Sequence, residues 1–342
     1  MIGKETIRVA AFTGGITVPS ARFRVRQYSS ALSKLGVEIS EMSSYFGIYP
    51  PESKALRLFW GGATLAERIP QIIRSYNYDV VLLQREMLSS FATFECLTKS
   101  PRVLDVDDAI FLNRNGDFAR RLAQISDRVI CGNRYLADWF SNWNKNVTVV
   151  PTAVNTDLYA PIIKLENSVG ATVIGWIGTS GNLKYLYAIE AALAIVLKAY
   201  PEIILRIVCD KKPEFSLFDM SRCEYILWSE KCEIENIQGM DIGIMPLENS
   251  EWAKGKCSFK MLQYMACGVP VVVSPVGMNV EVLSMGSVGM GAKSDDDWID
   301  SLVELIRNQK LRANMGVVGR QVVSNYFSIS KVAPQIKTCL TF

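Results

Sequence analysis

The chain has 342 residues, of which 49% are hydrophobic and 21% are charged, and its formal net charge is +3. This length and apolar content exclude a disordered chain and are enough for two globular domains of ordinary size. The sequence contains no histidine, which excludes imidazole as a general base, a nucleophile or a metal ligand.

The charge is distributed unevenly. Residues 1–155 carry 19 Lys and Arg against 14 Asp and Glu, a balance of +5, and the remaining residues carry 18 against 20, a balance of −2. A basic first half suits an acceptor that bears phosphate or a contact with anionic lipid, although such a balance is also common on proteins with neither partner. We expect no nucleic-acid partner.

The eight cysteines are scattered without a C-x-x-C pair, and the chain opens with neither a signal peptide nor an apolar run of about 18 residues. We therefore expect reduced thiols and a cytoplasmic location, either in free solution or at the inner face of the membrane. Cys257 and Cys267 are interpreted as small buried side chains rather than redox groups.

The first predicted unit is a strand over residues 7–12, a glycine loop over residues 13–15 and a helix over residues 20–35. The loop lacks the full G-x-G-x-x-G and G-K-[ST] patterns, which weakens the dinucleotide and P-loop interpretations. Arg22 and Arg26 are four residues apart, so we predict that they share one helical face beside the loop. They are candidates for binding a phosphate of the acceptor or the donor, and a solvated helix face is the alternative.

Apolar runs predict further strands with helical segments between them, an alternation typical of a parallel doubly wound sheet. These strands cover residues 37–40, 80–84, 103–106, 129–131 and 147–150. The aromatic segment 45–62 interrupts the pattern and is predicted to be a loop. It either covers an apolar acceptor or touches a membrane, or it packs its aromatic rings beneath itself.

Asp105 and Asp107 end a predicted strand, where their side chains share a face. The motif admits three interpretations: a divalent metal site, a carboxylate that hydrogen-bonds an acceptor hydroxyl or the sugar, and an N-cap or salt bridge. A hard cation needs several oxygen ligands, and no further ligand cluster accompanies the motif. Asp107 and Asp108 are therefore catalytic candidates, and we expect no bound metal.

The second half of the chain contains another series of predicted strands, over residues 172–177, 203–209, 225–228 and 241–247. The loop after the first of them, Gly178-Thr-Ser-Gly-Asn-Leu-Lys184, combines two glycines, two hydroxyl groups and a lysine. Backbone N–H groups in such a loop can surround anionic oxygens. Lys184 is a catalytic candidate, and Gly178, Thr179 and Ser180 are candidates for binding a phosphorylated donor.

Residues 254–281 join a basic glycine loop to a helix that starts near Ser258, and then to a buried strand of valines. Lys256 and Lys260 bring positive charge to the N–H groups at the helix start, so we predict a phosphate site there. A second loop, residues 277–281, is predicted at the carboxyl end of the strand, where open α/β sheets bind ligands. This makes Glu281 a donor-binding candidate.

The sequence Met265-Ala-Cys-Gly-Val-Pro-Val, with the basic loop before it, resembles the donor site of family 4 glycosyltransferases. The resemblance implies an α/β chain of the GT-B fold, with two doubly wound Rossmann-like domains facing a cleft. It implies an acceptor-binding domain over residues 1–155 and a donor-binding domain over residues 156–325. Residues 326–342 would form a tail that crosses back to the first domain.

Two departures from the family pattern concern its paired glutamates, whose positions hold Gly255 and Gln263. The resemblance implies that Gln263 binds a ribose hydroxyl, and it leaves the role of the first glutamate open between Lys256 and Glu251. It places the nucleobase near Trp228, for which core packing is the alternative interpretation. It also makes Gly15 a donor-binding candidate, and the histidine that the family often carries has no counterpart.

The resemblance implies a retaining, metal-independent glycosyltransferase of the hexosyltransferase type that acts in surface polysaccharide or glycoconjugate assembly. Its donor would be a UDP-, GDP- or dTDP-sugar with no other cofactor, and its acceptor a glycan, a lipid-linked saccharide or a protein, with peripheral membrane contact as an option. Two alternatives remain open: a nucleotide-sugar epimerase or phosphorylase of the same fold, and a non-catalytic nucleotide-binding protein.

Overall fold

The computed structural model describes residues 6–162 and 171–342. It divides the chain into two compact units. Unit 1 comprises the residues up to Ala153 together with Lys254–Cys257 and Ile329–Phe342, and unit 2 comprises Val154–Ala253 and Ser258–Ser328. Residues 158–170 are polar in sequence, which predicts a linker between the two domains, and residues 163–170 of this segment lie outside the described residues.

Unit 1 is built on a parallel six-stranded sheet in the order β2-β1-β3-β4-β5-β6. Its strands are β1 (Ile7–Thr13), β2 (Val37–Ser43), β3 (Val80–Gln84), β4 (Arg102–Val106), β5 (Arg128–Cys131) and β6 (Val147–Val149). Its helices are α1 (Ser29–Lys34), α2 (Arg57–Ser75), α3 (Asp117–Ile125), α4 (Arg134–Phe140) and the last helix of the chain, α13 (Ile329–Leu340). Apolar side chains of α13 belong to the core of this unit, which explains why the chain end is part of it.

Unit 2 contains a second parallel six-stranded sheet, in the order β12-β11-β10-β7-β8-β9. Its strands are β7 (Val173–Ile177), β8 (Ile204–Cys209), β9 (Cys223–Leu227), β10 (Ile242–Met245), β11 (Val271–Val273) and β12 (Gly289–Gly291). The remaining helices are α5 (Leu183–Tyr187), α6 (Glu190–Ala199), α7 (Glu233–Gln238), α8 (Glu251–Lys254), α9 (Phe259–Ala266), α10 (Met278–Leu283), α11 (Asp295–Arg307) and α12 (Gln309–Val322).

Two six-stranded parallel sheets with intervening helices confirm the predicted α/β class. The central strands β3, β7 and β10 are buried along their whole length, as their continuous apolar sequences indicated. Among the described residues, no helix combines the length and the apolar character that crossing a membrane requires. All eight cysteines are free, and burial raises the pKa of Cys267 to about 12, which keeps its thiol protonated at neutral pH.

The predicted helix over residues 20–35 is wrong as a single element. The structure has a π-helical turn (Ala21–Val25), a 3-10 turn (Arg26–Tyr28) and only then α1. The backbone breaks at Val25, whose φ of −126° lies outside the helical region. The irregular start accompanies a buried side chain, because Arg24 points inward to an ion pair with β4.

Two predicted loops contain helices. Residues 57–62 begin α2, and four of the five aromatic residues between positions 45 and 62 are exposed, with Tyr45 89% and Phe59 76% accessible. Aromatic packing beneath a loop is therefore wrong for this segment. Residues 278–281 belong to α10, which starts directly after Gly277, a glycine with the positive φ of +54°.

Candidate functional site

The first turn of α9 lies against the loop that follows β7. A Cβ atom built on Gly178 would approach Trp176 ring atoms to 2.6 Å and the Lys260 Cε atom to 3.1 Å, so only glycine fits there without displacement. The ammonium group of Lys260 lies 5.7 Å from the centroid of the Trp176 ring. The structure thus brings a lysine of one predicted phosphate loop into contact with the glycine of the other.

Ser258 precedes α9 and is buried, with a left-handed φ of +52°. Its hydroxyl lies 2.6 Å from Asn279 Oδ1, and Asn279 donates in turn to the Ser274 carbonyl oxygen at 2.9 Å. The Ser258 side chain therefore makes no capping hydrogen bond to α9. Its role is to fix the backbone at the helix start, where the N–H groups carry the positive end of the helix dipole.

Two side chains of the loop after β7 are engaged by carboxylates. Ser180 donates to Asp210 from its backbone N–H at 2.6 Å and from its hydroxyl at 2.8 Å. Lys184 pairs with Glu248 at 3.3 Å, and this hydrogen bond raises the lysine pKa. Thr179 is exposed and its hydroxyl oxygen accepts from the Asn182 side chain at 2.9 Å. A diphosphate that contacted Ser180 would replace the carboxylate of Asp210, and one that contacted Lys184 would replace that of Glu248.

Asp210 has its pKa lowered, because the hydrogen bonds from Ser180 outweigh desolvation, which by itself raises it. A lowered pKa stabilises the folded chain at a pH above the ordinary aspartate pKa of 3.8, and this contribution is lost as the pH falls through the lowered value. We predict that Asp210→Asn lowers the free energy of unfolding at neutral pH by up to about 1 kcal/mol, since the carboxylate is exposed. Urea unfolding at neutral pH and in acid measures this difference.

The acid series decides the outcome, because the deficit of Asp210→Asn should shrink once the wild-type carboxylate is protonated. Glu202→Gln is the matched control, since Glu202 is also exposed in unit 2. A deficit equal to that of the control at neutral pH, or one that persists unchanged in acid, contradicts the proposed hydrogen bonds.

A buried polar cluster surrounds Gln263. Its Nε2 donates to Tyr159 Oη at 2.9 Å and to Glu233 Oε1 at 3.1 Å. Glu233 also accepts from the Tyr159 hydroxyl and, at 2.9 Å, from the Trp228 indole nitrogen. The resemblance implies that Gln263 binds a ribose hydroxyl, and in the structure the nitrogen of its amide is held by neighbouring side chains.

Tyr159 and Glu233 were not among the site residues predicted from the sequence. Glu233 is the first residue of α7, where a carboxylate is explained by its favourable interaction with the helix dipole. Tyr159 lies in an irregular segment 74 positions away from it. Trp228 is the candidate for packing on the nucleobase, and it is 39% exposed beyond the end of β9, so the alternative interpretation of core packing is wrong. Its indole nitrogen donates to Glu233 in the cluster.

The segment Lys254–Cys257 is fixed within unit 1. The side-chain nitrogen of Asn133 lies 3.1–3.2 Å from three consecutive carbonyl oxygens, those of Lys254, Gly255 and Lys256. Asn133 Oδ1 also accepts from the Leu136 N–H at 2.9 Å and so caps α4. One buried amide thus connects the start of α4 with the segment that carries Lys256.

The acidic motif at the end of β4 is paired with two arginines, Arg24 and Arg85, that were not predicted as site residues. Arg24 binds both oxygens of Asp105, at 2.6 and 2.9 Å, and burial raises the pKa of this carboxyl group. Arg85 Nη1 lies 3.2 Å from Asp108 Oδ2 and 3.8 Å from Asp107 Oδ1. No group of three potential metal-binding side chains occurs among the described residues.

Several buried polar atoms at the carboxyl ends of β3 and β4 have no hydrogen-bond partner within the described parts of the chain. These atoms are Gln84 Nε2, Arg85 Nε, Glu86 Oε2 and Asp107 Oδ1. A buried polar group without a partner costs about 1–3 kcal/mol, so such a concentration needs a compensating role. Of these four residues, only Asp107 was a candidate from its sequence context.

The remaining site candidates are dispersed. Arg26 donates to the carbonyl oxygens of Gly15 at 3.0 Å and Ile16 at 2.7 Å and pairs with Glu41, whereas the Arg22 guanidinium lies over the Phe23 ring. The predicted common helical face of the two arginines is therefore wrong. Gly15 is buried with a φ of +139°. Glu251 and Glu281 are exposed on the first turns of α8 and α10.

Comparison with known proteins points to one family for part of the chain. Residues 171–308 match the family model described as glycosyl transferases group 1. A segment of 80 residues is 32% identical to N-acetyl-alpha-D-glucosaminyl L-malate synthase of Bacillus anthracis, and this match covers 23% of the chain. It spans about a fifth of that relative, 21% of its length.

Solved structures resemble the chain over nearly its full length. They include sucrose-phosphate synthase from Thermosynechococcus elongatus, with a TM-score of 0.69, 14% identity and coverage of 97% of this chain and 98% of the other. WaaG, a glycosyltransferase involved in lipopolysaccharide biosynthesis, has a TM-score of 0.68, 11% identity and coverage of 97% and 99%. Anabaena HepE in complex with UDP has a TM-score of 0.64, 12% identity and coverage of 98% and 99%. Residues 171–308 thus match the model of the glycosyl transferases group 1 family, and the chain has the fold of GT-B glycosyltransferases.

Proposed function

We propose that the protein is a retaining glycosyltransferase that moves a sugar from a nucleotide-diphosphate sugar to an acceptor hydroxyl in surface polysaccharide or glycoconjugate assembly. The contact of Lys260 with Gly178 carries this proposal, because it joins two loops of phosphate-binding composition at one sheet edge. The family match over residues 171–308 supports glycosyl transfer, and the names of HepE complexes with UDP and UDP-glucose suggest the donor class.

Catalysis would be mainly electrostatic. Lys260 and the N–H groups at the start of α9 would stabilise the negative charge that develops on the leaving diphosphate, and a preorganised donor of this kind contributes roughly 3–4 kcal/mol to the transition state. Lys184 and Lys256 are proposed to act on the same diphosphate, with Lys184 exchanging Glu248 for a phosphate oxygen. The leaving phosphate would accept the proton of the acceptor hydroxyl, since the chain contains no histidine.

The acceptor is proposed to bind unit 1 at the carboxyl ends of β3 and β4. Among the described residues, Arg85 Nε and Gln84 Nε2 donate no hydrogen bond there, and Glu86 Oε2 and Asp107 Oδ1 accept none, although Asp107 Oδ1 lies 3.8 Å from Arg85 Nη1. A saccharide hydroxyl both donates and accepts, so it complements both kinds of group. We propose that the acceptor is a glycan or a lipid-linked saccharide and that the reaction needs no metal, because the acidic motif is paired with arginines.

Nucleotide binding tests the donor site. A thermal-shift panel of UDP, GDP and dTDP should raise the Tm of the full chain with at least one of them, since a ligand at about 100 times its Kd adds roughly 2.7 kcal/mol to stability. Lys260→Ala should weaken that nucleotide at least about tenfold, because it removes a charged hydrogen bond. Lys310→Ala, which changes an exposed lysine on α12, is the control. If none of the three nucleotides shifts the Tm, the proposed function is wrong.

A non-catalytic nucleotide-binding protein is the second candidate, because both glutamate positions of the family 4 pattern are replaced. Such a protein should bind nucleotide without turnover or hydrolysis of any nucleotide sugar. Product analysis with and without an added saccharide separates the classes, since an epimerase or a phosphorylase converts the donor without an acceptor hydroxyl.

A further inference from the structure

Glu86, which lies just after β3, is a buried carboxylate with one unused oxygen. The residue is only 3% exposed. Its Oε1 accepts from the Ser90 N–H at 3.1 Å, whereas no group among the described residues donates a hydrogen bond to its Oε2. Burial removes this oxygen from water, so the lack of a partner is unfavourable unless a ligand supplies one. Glu86 is therefore a candidate for binding a ligand that donates hydrogen bonds.

The other two buried carboxylates in the described part of unit 1 have partners on both oxygens. Glu95 accepts from the Met87 N–H at 2.8 Å through one oxygen, and from the N–H and the hydroxyl of Thr93 through the other. Asp105 is bound by Arg24 through both of its oxygens. The carboxylate after β3 is thus an exception, and its unused oxygen does not follow from burial alone.

The guanidinium group of Arg85 is shared by three carboxylates. Its Nη1 lies 3.2 Å from Asp108 Oδ2 and 3.8 Å from Asp107 Oδ1. Burial by itself lowers the pKa of Arg85, but Asp108, Asp107 and Glu86 outweigh it and raise the pKa above its ordinary value. One cation so divided compensates each carboxylate only in part, and Glu86 receives no hydrogen bond from it.

The other buried arginines of unit 1 are engaged elsewhere, Arg24 by Asp105 and Arg68 by the sheet. Arg68 lies on the buried side of α2 and donates to the carbonyl oxygens of Met42 at 2.8 Å and Thr13 at 2.7 Å. Burial lowers its pKa to about 10, so it remains charged at neutral pH. The large side chains on the outer side of this helix are exposed and apolar, namely Leu58, Phe59, Ile69 and Ile73. Neither arginine is left to pair with the carboxylate after β3.

The loop over residues 85–90 holds Glu86 in place through an unusual backbone. Arg85 has a φ of +64° and Ser90 a φ of +62°. Residues other than glycine rarely adopt this conformation, and it persists where the surrounding structure fixes it, often at binding sites. The Ser90 N–H donates to Glu86, and the Ser89 N–H donates to the Ile48 carbonyl oxygen at 3.0 Å. The loop therefore fixes the carboxylate while leaving its second oxygen unused.

Tyr49 lies beside this group of charges and extends to the surface. Partial burial raises the pKa of its hydroxyl group, Arg85 lowers it, and Asp108, Glu86 and Asp107 raise it, so the side chain is within electrostatic reach of all four. The residue is 54% exposed. A ligand that packs against Tyr49 can thus approach the carboxylates from solvent, and a positively charged ligand is also attracted by the face of an aromatic ring.

A protonated amine has the properties that this site requires, since it donates up to three hydrogen bonds and carries the charge that a buried carboxylate needs. We propose, as an extension that rests on the proposed function, that the acceptor is an amino saccharide whose ammonium group binds Glu86 and Asp107. Its hydroxyl groups would accept from Gln84 Nε2 and Arg85 Nε. A uronate or a phosphate at the same position would face carboxylates. The balance of +5 over residues 1–155 therefore does not describe the charge at the acceptor site.

Saccharide binding to the full chain tests the proposal. Tetramers of glucosamine, N-acetylglucosamine and galacturonic acid are similar in size and differ in charge, and calorimetric titration at a pH that keeps the amines protonated gives their affinities. We expect the glucosamine tetramer to bind at least about tenfold more tightly than either of the others. A general attraction to the protein cannot produce this order, because the net charge of +3 favours the acidic tetramer.

Two variants locate the preference on the chain. Glu86→Gln and Asp107→Asn each replace a carboxylate by an amide of the same shape, and each should reduce the preference for the glucosamine tetramer several-fold. Glu52→Gln, at an exposed position of unit 1, is the matched control and should bind as the wild type does. Circular dichroism and Tm verify folding, which is expected for Glu86→Gln because the amide oxygen can still accept from the Ser90 N–H.

The proposal is overturned if the neutral or the acidic tetramer binds as tightly as the glucosamine tetramer, or if both variants keep the preference of the wild type. It is also overturned if no tetramer binds, either alone or together with a nucleotide that shifts the Tm. The nucleotide panel is a separate measurement. A nucleotide that binds while the preference is absent contradicts only the amino acceptor, whereas a chain that binds none of the nucleotides contradicts the proposed function whatever the tetramers do.

Discussion

Replacing Gly255 by Glu should destabilise the protein by about 3 kcal/mol or more, although it restores a residue of the family 4 pattern. A Cβ atom at this position would lie 2.6 Å from the Ala109 Cβ and 2.8 Å from the Ala109 nitrogen. The second of these atoms belongs to the backbone, which cannot rotate away, and Asn133 holds the segment in place through three carbonyl oxygens. Forcing a side chain into such a site has a cost at the upper end of the range for overpacking.

Thermal unfolding measures the effect, since 3 kcal/mol corresponds to a Tm decrease of roughly 6–12 °C for a domain of about 150–250 residues. Gly181→Glu is the matched control, because no atom lies within 4 Å of a Cβ built on Gly181 and its φ is not positive. A Gly255→Glu protein with the Tm of the wild type would show that the segment does not pack on Ala109 as described. A gain of turnover in that variant would indicate that the missing glutamate limits catalysis.

The substitution Gln263→Glu should also destabilise unit 2 by about 3 kcal/mol at neutral pH. It would place a second carboxylate where the amide nitrogen now donates to Glu233 at 3.1 Å, in a cluster that is buried on all sides. Two carboxylates so close cannot both ionise readily, so the pKa of the introduced carboxyl group should be raised. A carboxyl group with a raised pKa does not destabilise the folded chain below the ordinary glutamate pKa of about 4.3, because it is then protonated. It destabilises the folded chain as the pH rises through the raised value.

The Tm of Gln263→Glu should therefore approach that of the wild type in acid and fall behind it towards neutral pH. The exchange variant E233Q/Q263E restores one carboxylate and one amide and should recover most of the lost stability at pH 7. Gln335→Glu, at an exposed position on α13, is the control for an added surface charge. Equal stability of Gln263→Glu and the wild type across the pH range would exclude the described contact with Glu233.

The sheets were predictable from sequence, because runs such as Val80–Gln84 and Val173–Ile177 are apolar throughout and lie between helical patterns. The broken helix at residues 21–34 was not, since its irregular start accompanies an ion pair between Arg24 and Asp105, 81 positions away. Helix α10 was missed because Pro275 and Gly277 are typical of a loop, whereas the helix begins directly after Gly277.

Composition identified the candidate donor loops but not the partners of their side chains. Gly178 and Lys260 were assigned to phosphate-binding loops from glycine, hydroxyl and lysine content, and their mutual contact required the fold. The hydrogen bond from Ser180 to Asp210 joins the ends of the adjacent strands β7 and β8. The two residues are 30 positions apart, so no local sequence pattern predicts this bond. The assignment of donor and acceptor roles to these residues stays a prediction that the binding experiments decide.

The guanidinium of Arg68 has a consequence for how the chain folds. A helix with one apolar side gains free energy when that side packs on a sheet. A rotated α2 would therefore be a competing misfolded state for a newly made chain. Rotation would leave the carbonyl oxygens of Thr13 and Met42 without their donor and would expose a cation that the native chain buries. The hydrogen bonds of this one arginine thereby favour the native orientation of α2 over a rotated orientation that would bury more apolar surface.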